Sequence, residues 1–352
     1  VTHCDVRHGR ARQQAVAAAA RGVLKGRAMM KYGARRFASI LLFAGLAAQL
    51  AAAQEAPAAH YRAFDSKGQA VTLRRIIDSL EDADVLFVGE THDNAVAHLL
   101  EAELLRRADE RFGAASPKRR DVALSLEMFE RDVQTVLDEY LAGLITERHF
   151  LLSSRPWRNY ETDYRPLIEY ARARRLPVIA ANAPARYVSR VSSRGPGSLN
   201  SLSKEVVRTW LPPLPFPPAS EAYAAKFNRV MSGGPASAPA PASPSAQTST
   251  PAQMGAHGPP HLLQAQTLRD ASMAYRIAEF LKRGRDPLVV HVNGAFHSEE
   301  RLGVPELLAR YRPKARAVVV TVVPDEGFPD FDAARLGRLG DFVIITDPRV
   351  KG

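Results

Sequence analysis

The chain has 352 residues, of which 46% are hydrophobic and 24% charged, so it can build a sizeable globular core. Its formal net charge of +11 is unevenly distributed, because residues 1–53 contain nine Lys/Arg and one acid, a net of +8. The remaining residues contain 39 basic and 36 acidic side chains, a net of +3. The basicity is therefore a property of the first segment and does not indicate a nucleic-acid partner.

Residues 1–53 are predicted to be an upstream extension (1–28) followed by a signal peptide. Met29 or Met30 begins a basic stretch, "KYGARR", which is followed by the apolar run "FASILLFAGLAAQL" and by "AAA" at 51–53. This order is typical of an export signal that is cleaved before Gln54. The apolar run is shorter than the ~20 residues that span a bilayer, which disfavours the alternative of an uncleaved anchor. We expect an exported, periplasmic protein.

The single cysteine, Cys4, lies in the segment that we expect to be removed. No cysteine follows the apolar run, so lipid anchoring through a lipobox cysteine is not expected. The mature chain would have no disulfide and no thiolate ligand. A bound metal or haem iron would therefore use His, Glu, Asp, Tyr or Met.

The apolar runs alternate with segments of helical period. The predicted strands are 84–90, 121–129, 176–184, 286–297, 315–324 and 341–348, and the predicted helices include 95–112, 163–175 and 265–284. Runs of consecutive apolar residues are typical of strands buried on both faces. The alternation predicts an α/β fold with a mainly parallel central sheet covered by helices.

One α/β domain is predicted, in two parts that span 54–231 and 262–352. Between them, residues 232–261 are rich in Pro, Ala, Ser and Gly and are expected to form a disordered insert. The helical stretch between about 199 and 284 is expected to form a cap over the sheet, interrupted by this insert.

Polar residues stand at the ends of four predicted strands. The first strand ends at Glu90 and His92, the second at Glu127, the third at Asn182, and the fourth at Asn293 and His297. Ligands of open α/β sheets bind outside the carboxyl ends of the strands. We therefore expect Glu90, His92, Glu127 and His297 to converge on one pocket.

Structural roles are alternatives for several of these residues. His92 or Asp93 would cap the helix that begins near Asn94, and Asn182 and His297 would cap the segments that follow them. Glu90 would accept hydrogen bonds from helix N-terminal amides. His291, in the middle of a strand, is interpreted as a core histidine.

A second cluster, "SRPWRNYETDYRP" (154–166), combines aromatic residues with arginines. Tyr160 and Tyr164 are four residues apart and share one face if they are helical. One interpretation is an aromatic turn packed on the core, with Arg158 and its neighbours in water. The other is a planar acidic ligand that stacks on the aromatic rings and pairs with the arginines.

Two Gly-x-x-His motifs, "GETH" (89–92) and "GAFH" (294–297), flank Glu127 in the sequence. In this arrangement the chain resembles the superfamily that contains Tiki-type metalloproteases, TraB proteins and erythromycin esterases. The segments "FVGETHDN", "SLEMFERDVQ", "WRNYETDYRPLIEYAR", "PVIAANAP", "QAQTLRDASMA" and "HVNGAFHS" most resemble its ChaN branch, whose members are iron-regulated, haem-binding proteins of the bacterial envelope. The resemblance covers roughly residues 60–325.

This resemblance implies haem held between two protomers of a homodimer, with a tyrosinate as the iron ligand. The candidate ligands are Tyr160 and Tyr164, and Arg158, His92 and His297 are candidates for contacting the haem. A function in haem or iron uptake follows, with an outer-membrane haem or iron receptor as a possible partner. Two features depart from the branch: the missing lipobox cysteine and the insert at 232–261.

A hydrolase of esterase or peptidase type is the alternative function. Glu90 would act as general base, and His92, Glu127 and His297 would be metal ligands or acid/base groups, with a divalent metal as cofactor. The resemblance does not decide whether catalysis is retained in this branch.

Overall fold

The computed structural model describes residues 56–233, 259–284 and 286–350. The predicted signal segment and residues 234–258 of the predicted insert lie outside the described residues. The helix before the insert ends at Met231, and the helix after it begins at Leu262. The second helix thus begins three residues earlier than the predicted helix 265–284. Within the described ranges, no helix is both long and apolar enough to cross a bilayer.

The described residues form an eight-stranded sheet in the order β2-β1-β8-β7-β3-β6-β4-β5. The strands are β1 (Tyr61–Asp65), β2 (Ala70–Val71), β3 (Val85–Glu90), β4 (Asp121–Glu130), β5 (Val178–Asn182), β6 (Pro287–Gly294), β7 (Ala317–Pro324) and β8 (Phe342–Thr346). The strands from β8 to β5 pair parallel with one another. At one edge of the sheet, β1 pairs antiparallel with both β8 and β2. The predicted α/β fold with a mainly parallel sheet is confirmed.

Helices cover both faces of the sheet. They are α1 (Leu73–Asp78), α2 (Ala95–Phe112), α3 (Gln134–Leu141), α4 (Glu147–Ser154), α5 (Arg165–Arg174), α6 (Ala185–Arg194), α7 (Lys204–Trp210), α8 (Glu221–Met231), α9 (Leu262–Arg283), α10 (Val304–Tyr311) and α11 (Ala333–Leu336). Along β3, Leu86 and Val88 enter the core beneath α2 to α5, and Val85 and Phe87 enter the core beneath α6, α9 and α10. The alternation of side chains along a strand thus builds two cores.

Helix α2 follows β3 after four residues and begins where its cap dictates. Asn94 Oδ1 accepts hydrogen bonds from the amides of Val96 and Ala97 at 3.1 and 3.2 Å. Asn94 is therefore the N-cap, and the alternative cap roles for His92 and Asp93 are wrong. Both residues remain in the turn between β3 and α2, at the carboxyl edge of the sheet.

Helix α9 is not part of a cap, because it packs directly against strands β5 and β6. Its buried side includes Leu268, Ala271 and Ile277, which belong to the second core. The predicted cap from 199 to 284 is thus wrong for α9. The reason is that α9 has an apolar stripe long enough to cover the sheet itself.

Candidate functional site

The carboxyl ends of β3, β6 and β4 lie side by side and bring the four predicted residues together. Glu90 is the last residue of β3, and His92 Nδ1 lies 2.9 Å from Glu90 Oε1. Glu127 Oε1 lies 3.3 Å from His297 Nε2. Glu90, Glu127 and His297 are at most 2% exposed, whereas the His92 side chain is 18% exposed. His92 is therefore the most solvent-exposed of the four residues.

An irregularity in β4 aims Glu127 at its neighbours. The pairing of β4 with β5 shifts register between Leu126 and Glu130, as in a β-bulge. Glu127 Oε2 accepts a hydrogen bond of 2.8 Å from the backbone amide of Gly294 at the end of β6. The buried carboxylate thus holds the second Gly-x-x-His motif through its glycine.

The two Gly-x-x-His motifs pack against each other through their glycines. A β-carbon on Gly89 would lie 2.8 Å from Ser298 Oγ and 3.0 Å from the Cα of Ala295, just after the second motif's glycine. A β-carbon on Gly294 would lie 2.9 Å from Nε2 of His92, in the first motif. Each glycine therefore makes room for the segment that carries the other motif. This close packing explains why both motifs begin with glycine.

Three further residues join Glu90, although the sequence did not single them out. His98 Nδ1 lies 3.0 Å from Glu90 Oε2 and 3.3 Å from Glu101 Oε2, and His98 Nε2 lies 3.4 Å from Asp163 Oδ2. We call Glu90, His98 and Glu101 the Glu90 cluster. The available signal was the H-x-x-E spacing within α2, which places His98 and Glu101 on one buried side of an amphipathic helix.

The Glu90 cluster carries strongly shifted pKa values. Burial would raise the pKa of Glu90, but His98 and His92 outweigh it and lower the pKa to about 2. Burial would lower the pKa of His98, but Glu101 and Glu90 raise it to about 10. Burial and the Glu90 charge hold the pKa of Glu101 well above its usual range.

The other half of the site centres on His297. Its Nδ1 lies 2.5 Å from Asp270 Oδ1, its Nε2 lies 3.0 Å from the Gln266 amide nitrogen, and Tyr223 donates a hydrogen bond to Asp270. Burial would lower the pKa of His297, but Glu127 and Asp270 raise it to about 10. His297 therefore lies between two carboxylates that favour its charged form, and the alternative that it only caps the following segment is wrong.

The other strand-end residues have structural partners. Asn182 Oδ1 accepts a hydrogen bond from Arg269 at 3.3 Å, and Asn293 donates to Gly294 O and Ser298 Oγ. His291 is fully buried, and its Nδ1 lies 2.9 Å from Ser125 Oγ. Its pKa is lowered to about 3 by burial, so it is a neutral core residue, as its mid-strand position indicates.

Tyr160 and Tyr164 form the two ends of a π-helical turn and are both about 1% exposed. The Tyr164 hydroxyl donates to Glu90 Oε1, and the Tyr160 hydroxyl has no hydrogen-bond partner among the described residues. Tyr160 packs against Phe129 and Phe150, at ring distances of 6.4 and 5.8 Å. The aromatic part of the cluster is therefore part of the core.

The arginines of this segment do not offset the burial of the two tyrosine hydroxyls. Arg155 pairs with Glu130 and Asp132, Arg165 pairs with Glu147, and Arg158 is exposed. Burial raises the pKa of both tyrosines, and for Tyr164 the Glu90 charge raises it further. Carboxylates on neighbouring elements neutralise Arg155 and Arg165, so the effect of burial on the pKa of both hydroxyls prevails.

Two exposed leucines lie at α4: Leu144 is in the turn just before the helix, and Leu152 is on the helix itself. Leu144 and Leu152 are 75% and 70% exposed, and they are the large hydrophobic side chains that stand out to solvent within the described ranges. His149, also exposed, precedes Leu152 by three residues on the same helix, and its Nδ1 lies 3.1 Å from Thr146 Oγ1. We call Leu144, His149 and Leu152 the α4 surface.

Comparisons with known proteins place these residues in a wider context. A family model described as haem-binding uptake, Tiki superfamily, ChaN matches residues 76–308, a range that contains both halves of the site and the α4 surface. Protein RETICULATA-RELATED 5, chloroplastic, of Arabidopsis thaliana is 25% identical over 270 residues, which cover 72% of this chain and 33% of that protein. The chain thus spans about a third of the length of that relative.

Two solved structures are similar in fold. ChaN of Campylobacter jejuni, solved with cofacially bound haem, superimposes with a TM-score of 0.55 at 15% identity, covering 82% of this chain and 97% of that one. An erythromycin esterase mutant in its open conformation gives a TM-score of 0.41 at 12% identity, covering 82% and 83% of the two chains. The first likeness supports the fold, and the second is too distant to carry an argument.

Proposed function

The chain belongs to the ChaN family of the Tiki superfamily, and from that premise we propose that it binds haem and acts in haem or iron uptake or handling in the bacterial envelope. The observation that carries this proposal is the family match over residues 76–308, which includes every candidate residue of the site. The Campylobacter jejuni protein, which binds haem cofacially, has the same fold and supports the same class of ligand here.

The α4 surface fits a planar, largely apolar ligand that carries two carboxylates. Leu144 and Leu152 offer apolar contact, His149 offers an imidazole nitrogen, and the exposed Arg148 offers a cation for a propionate. A second copy of the chain would cover the leucines from the other side of the haem. We therefore propose a homodimer that encloses haem at this surface, a position that would also favour transfer to or from an outer-membrane receptor.

We propose three candidates for the iron ligand: Tyr160, Tyr164 and His149. They differ in how much the structure must change before the side chain can reach the iron. Tyr160 and Tyr164 are buried, so a tyrosinate from either would require the π-helical turn to open and, for Tyr164, the hydrogen bond to Glu90 to break. His149 is exposed and requires neither change. The greater exposure of His149 therefore favours it over the two tyrosines as the iron ligand, and Arg158, His92 and His297 remain candidates for contacting the haem.

Hemin titration followed by visible spectroscopy tests this proposal. Binding to the purified full chain is expected at one haem per protomer, and His149→Gln is expected to lose the wild-type Soret band, whereas His60→Gln, a half-buried histidine remote in sequence, retains it. If Tyr164→Phe or Tyr160→Phe alone abolishes the spectrum, the tyrosinate hypothesis is supported and His149 is not the ligand. No spectral change in the wild-type chain would contradict haem binding altogether.

Export is proposed as well, because residues 1–53 have the order of a signal peptide. We propose cleavage near Ala53. Intact-mass measurement of the protein from the envelope fraction tests this directly, and a mass that retains the apolar run would contradict it.

A hydrolase is the second candidate function. The buried Glu90, Glu127 and His297 and the partly exposed His92 favour it by lying together at the sheet edge. Their pKa values oppose acid–base catalysis without a metal, because Glu90 at about 2 and His297 at about 10 are both far from neutral pH. The test is a panel of esters and peptides with added divalent metal. Activity that is lost in Glu127→Gln would support this function.

A further inference from the structure

We propose that the Glu90 cluster is a binding site for a divalent first-row metal ion, such as Zn²⁺ or Mn²⁺, held by Glu90, His98 and Glu101. This site is distinct from the α4 surface proposed for haem and uses two residues, His98 and Glu101, that lie outside the Gly-x-x-His motifs. It therefore goes beyond the proposed function and does not depend on it.

The donor atoms are close enough to share one ion. One ligand atom from each of Glu90, His98 and Glu101 lies within 4.8 Å of the others. His98 Nδ1 is 3.0 Å from Glu90 Oε2 and 3.3 Å from Glu101 Oε2. Ligand bonds of about 2.0–2.2 Å to a common metal fit atoms at these separations. The three side chains thus need little movement to coordinate a cation.

One carboxylate oxygen of the cluster lacks the hydrogen bond that burial normally requires. Glu101 Oε1 is buried and accepts no hydrogen bond from the described residues, whereas Glu90 Oε2 is paired with His98 Nδ1 at 3.0 Å. Both glutamates are at most 1% exposed. A buried carboxylate oxygen is rarely left without a partner unless it binds a metal, so Glu101 Oε1 points to a cation that completes the site.

The outer contacts of His98 are those of a metal-bound imidazole. While Nδ1 faces the two glutamates, Nε2 lies 3.2 Å from the carbonyl oxygen of His92 and 3.4 Å from Asp163 Oδ2. Asn159 in turn donates to Asp163 Oδ2 at 2.7 Å. A metal-ligating histidine usually donates its other N–H to a carbonyl or carboxylate, which fixes the ring and its tautomer.

The donor set determines the class of ion. One imidazole nitrogen and two carboxylate oxygens, without a thiolate, suit Zn²⁺, Mn²⁺ or Fe²⁺ better than Cu⁺, which prefers sulfur, or Ca²⁺, which prefers oxygen alone. The competing explanation without metal is a protonated His98 enclosed by Glu90, Glu101 and Asp163. The two explanations differ in whether the purified chain contains a stoichiometric ion.

Metal analysis of the full chain, followed by loading with Co²⁺ as a spectroscopic probe, decides between them. We expect about one metal ion per chain and a Co²⁺ absorption band that is lost in Glu101→Gln, with affinity reduced at least 100-fold. Glu110→Gln, the same change on an exposed part of the same helix, is expected to bind as the wild type does.

Asp163→Asn provides a second test if Glu101→Gln does not fold. This change removes an outer contact and leaves all three ligands, so we expect an affinity reduced by about 10-fold, the lower end for loss of such contacts. The proposal is overturned if the wild-type chain neither contains metal nor develops a Co²⁺ band, or if Glu101→Gln binds Co²⁺ as tightly as Glu110→Gln does.

Discussion

His92 Nδ1 and the Tyr164 hydroxyl both meet the same oxygen of Glu90, and the His92–Glu90 distance is 2.9 Å. Residues from the β3 turn and from the π-helical turn, 72 positions apart, are thereby tied to one carboxylate. Burial raises the pKa of the Tyr164 hydroxyl, and the Glu90 carboxylate raises it further because it disfavours a second negative charge beside it. The contact also predicts that loss of the hydroxyl group lowers the stability of the protein at Tyr164 but not at Tyr160.

Tyr164→Phe is expected to destabilise the protein by about 1–3 kcal/mol, because the buried Glu90 loses a donor. Tyr160→Phe is expected to be neutral or slightly stabilising, because its buried hydroxyl has no partner among the described residues. Urea unfolding of both variants measures the difference. Equal losses of unfolding free energy would show that the Tyr164 hydroxyl does not support Glu90.

Gly89→Ala is expected to lower the free energy of unfolding by about 1–3 kcal/mol through overpacking. The added β-carbon would lie 3.0 Å from the backbone Cα of Ala295, which cannot move aside as a flexible side chain does. Gly197→Ala is the matched control, because nothing lies within 4 Å of its β-carbon position. Thermal unfolding checks the pair, and an unchanged melting temperature in Gly89→Ala would contradict the mutual packing of the two motifs.

Lys226→Met is expected to lower the free energy of unfolding by about 3 kcal/mol, because it removes the buried ion pair with Glu299 and leaves that carboxylate without its partner. Lys226 on α8 is 1% exposed and donates to the carbonyl oxygens of Phe296 and Glu299, which places it directly against the second Gly-x-x-His segment. Lys282→Met, at an exposed pair with Glu279, is expected to change stability by less than about 0.5 kcal/mol. Denaturant titration of both variants tests this, and similar small losses would show that α8 does not hold that segment.

Acid is expected to destabilise the protein partly through His291. Its folded-state pKa of about 3 lies below the unfolded value near 6.5, so the unfolded chain binds the extra proton as pH falls through this window. The contribution of the neutral His291 to the free energy of unfolding is complete above pH 6.5 and is lost progressively as the pH falls toward 3. Between pH 7 and pH 5 the loss amounts to about 2 kcal/mol.

The variant His291→Gln isolates this contribution, because glutamine does not titrate. Its unfolding free energy is expected to fall less steeply between pH 7 and pH 5 than that of the wild type, by the same amount. Ser125, Phe87, Glu127 and His297 surround or influence this imidazole in both proteins, so their effects are common to both curves. Parallel pH profiles for the two proteins would exclude His291 as a source of acid sensitivity.

The sequence by itself determined the strands and the edge at which the site forms. Consecutive apolar residues such as Val85 to Val88 have no polar side to expose, so they indicate a strand buried on both faces. Helix α2 was predicted with the observed bounds, 95–112, because its apolar period is long and regular. The half-exposed β1 and the two-residue β2 were missed, since short edge strands carry little pattern.

Only the tertiary structure decided which of these residues meet. The insertion of β6 between β3 and β4 brings Glu127 to Gly294 and His297 to Glu127, and no local pattern encodes that strand order. His98 and Glu101 reach Glu90 because α2 packs against β3, and they read in sequence as ordinary helical residues. Folding likewise decided the pKa of Tyr164, because it buries the hydroxyl and places beside it a carboxylate from 74 positions away in the sequence.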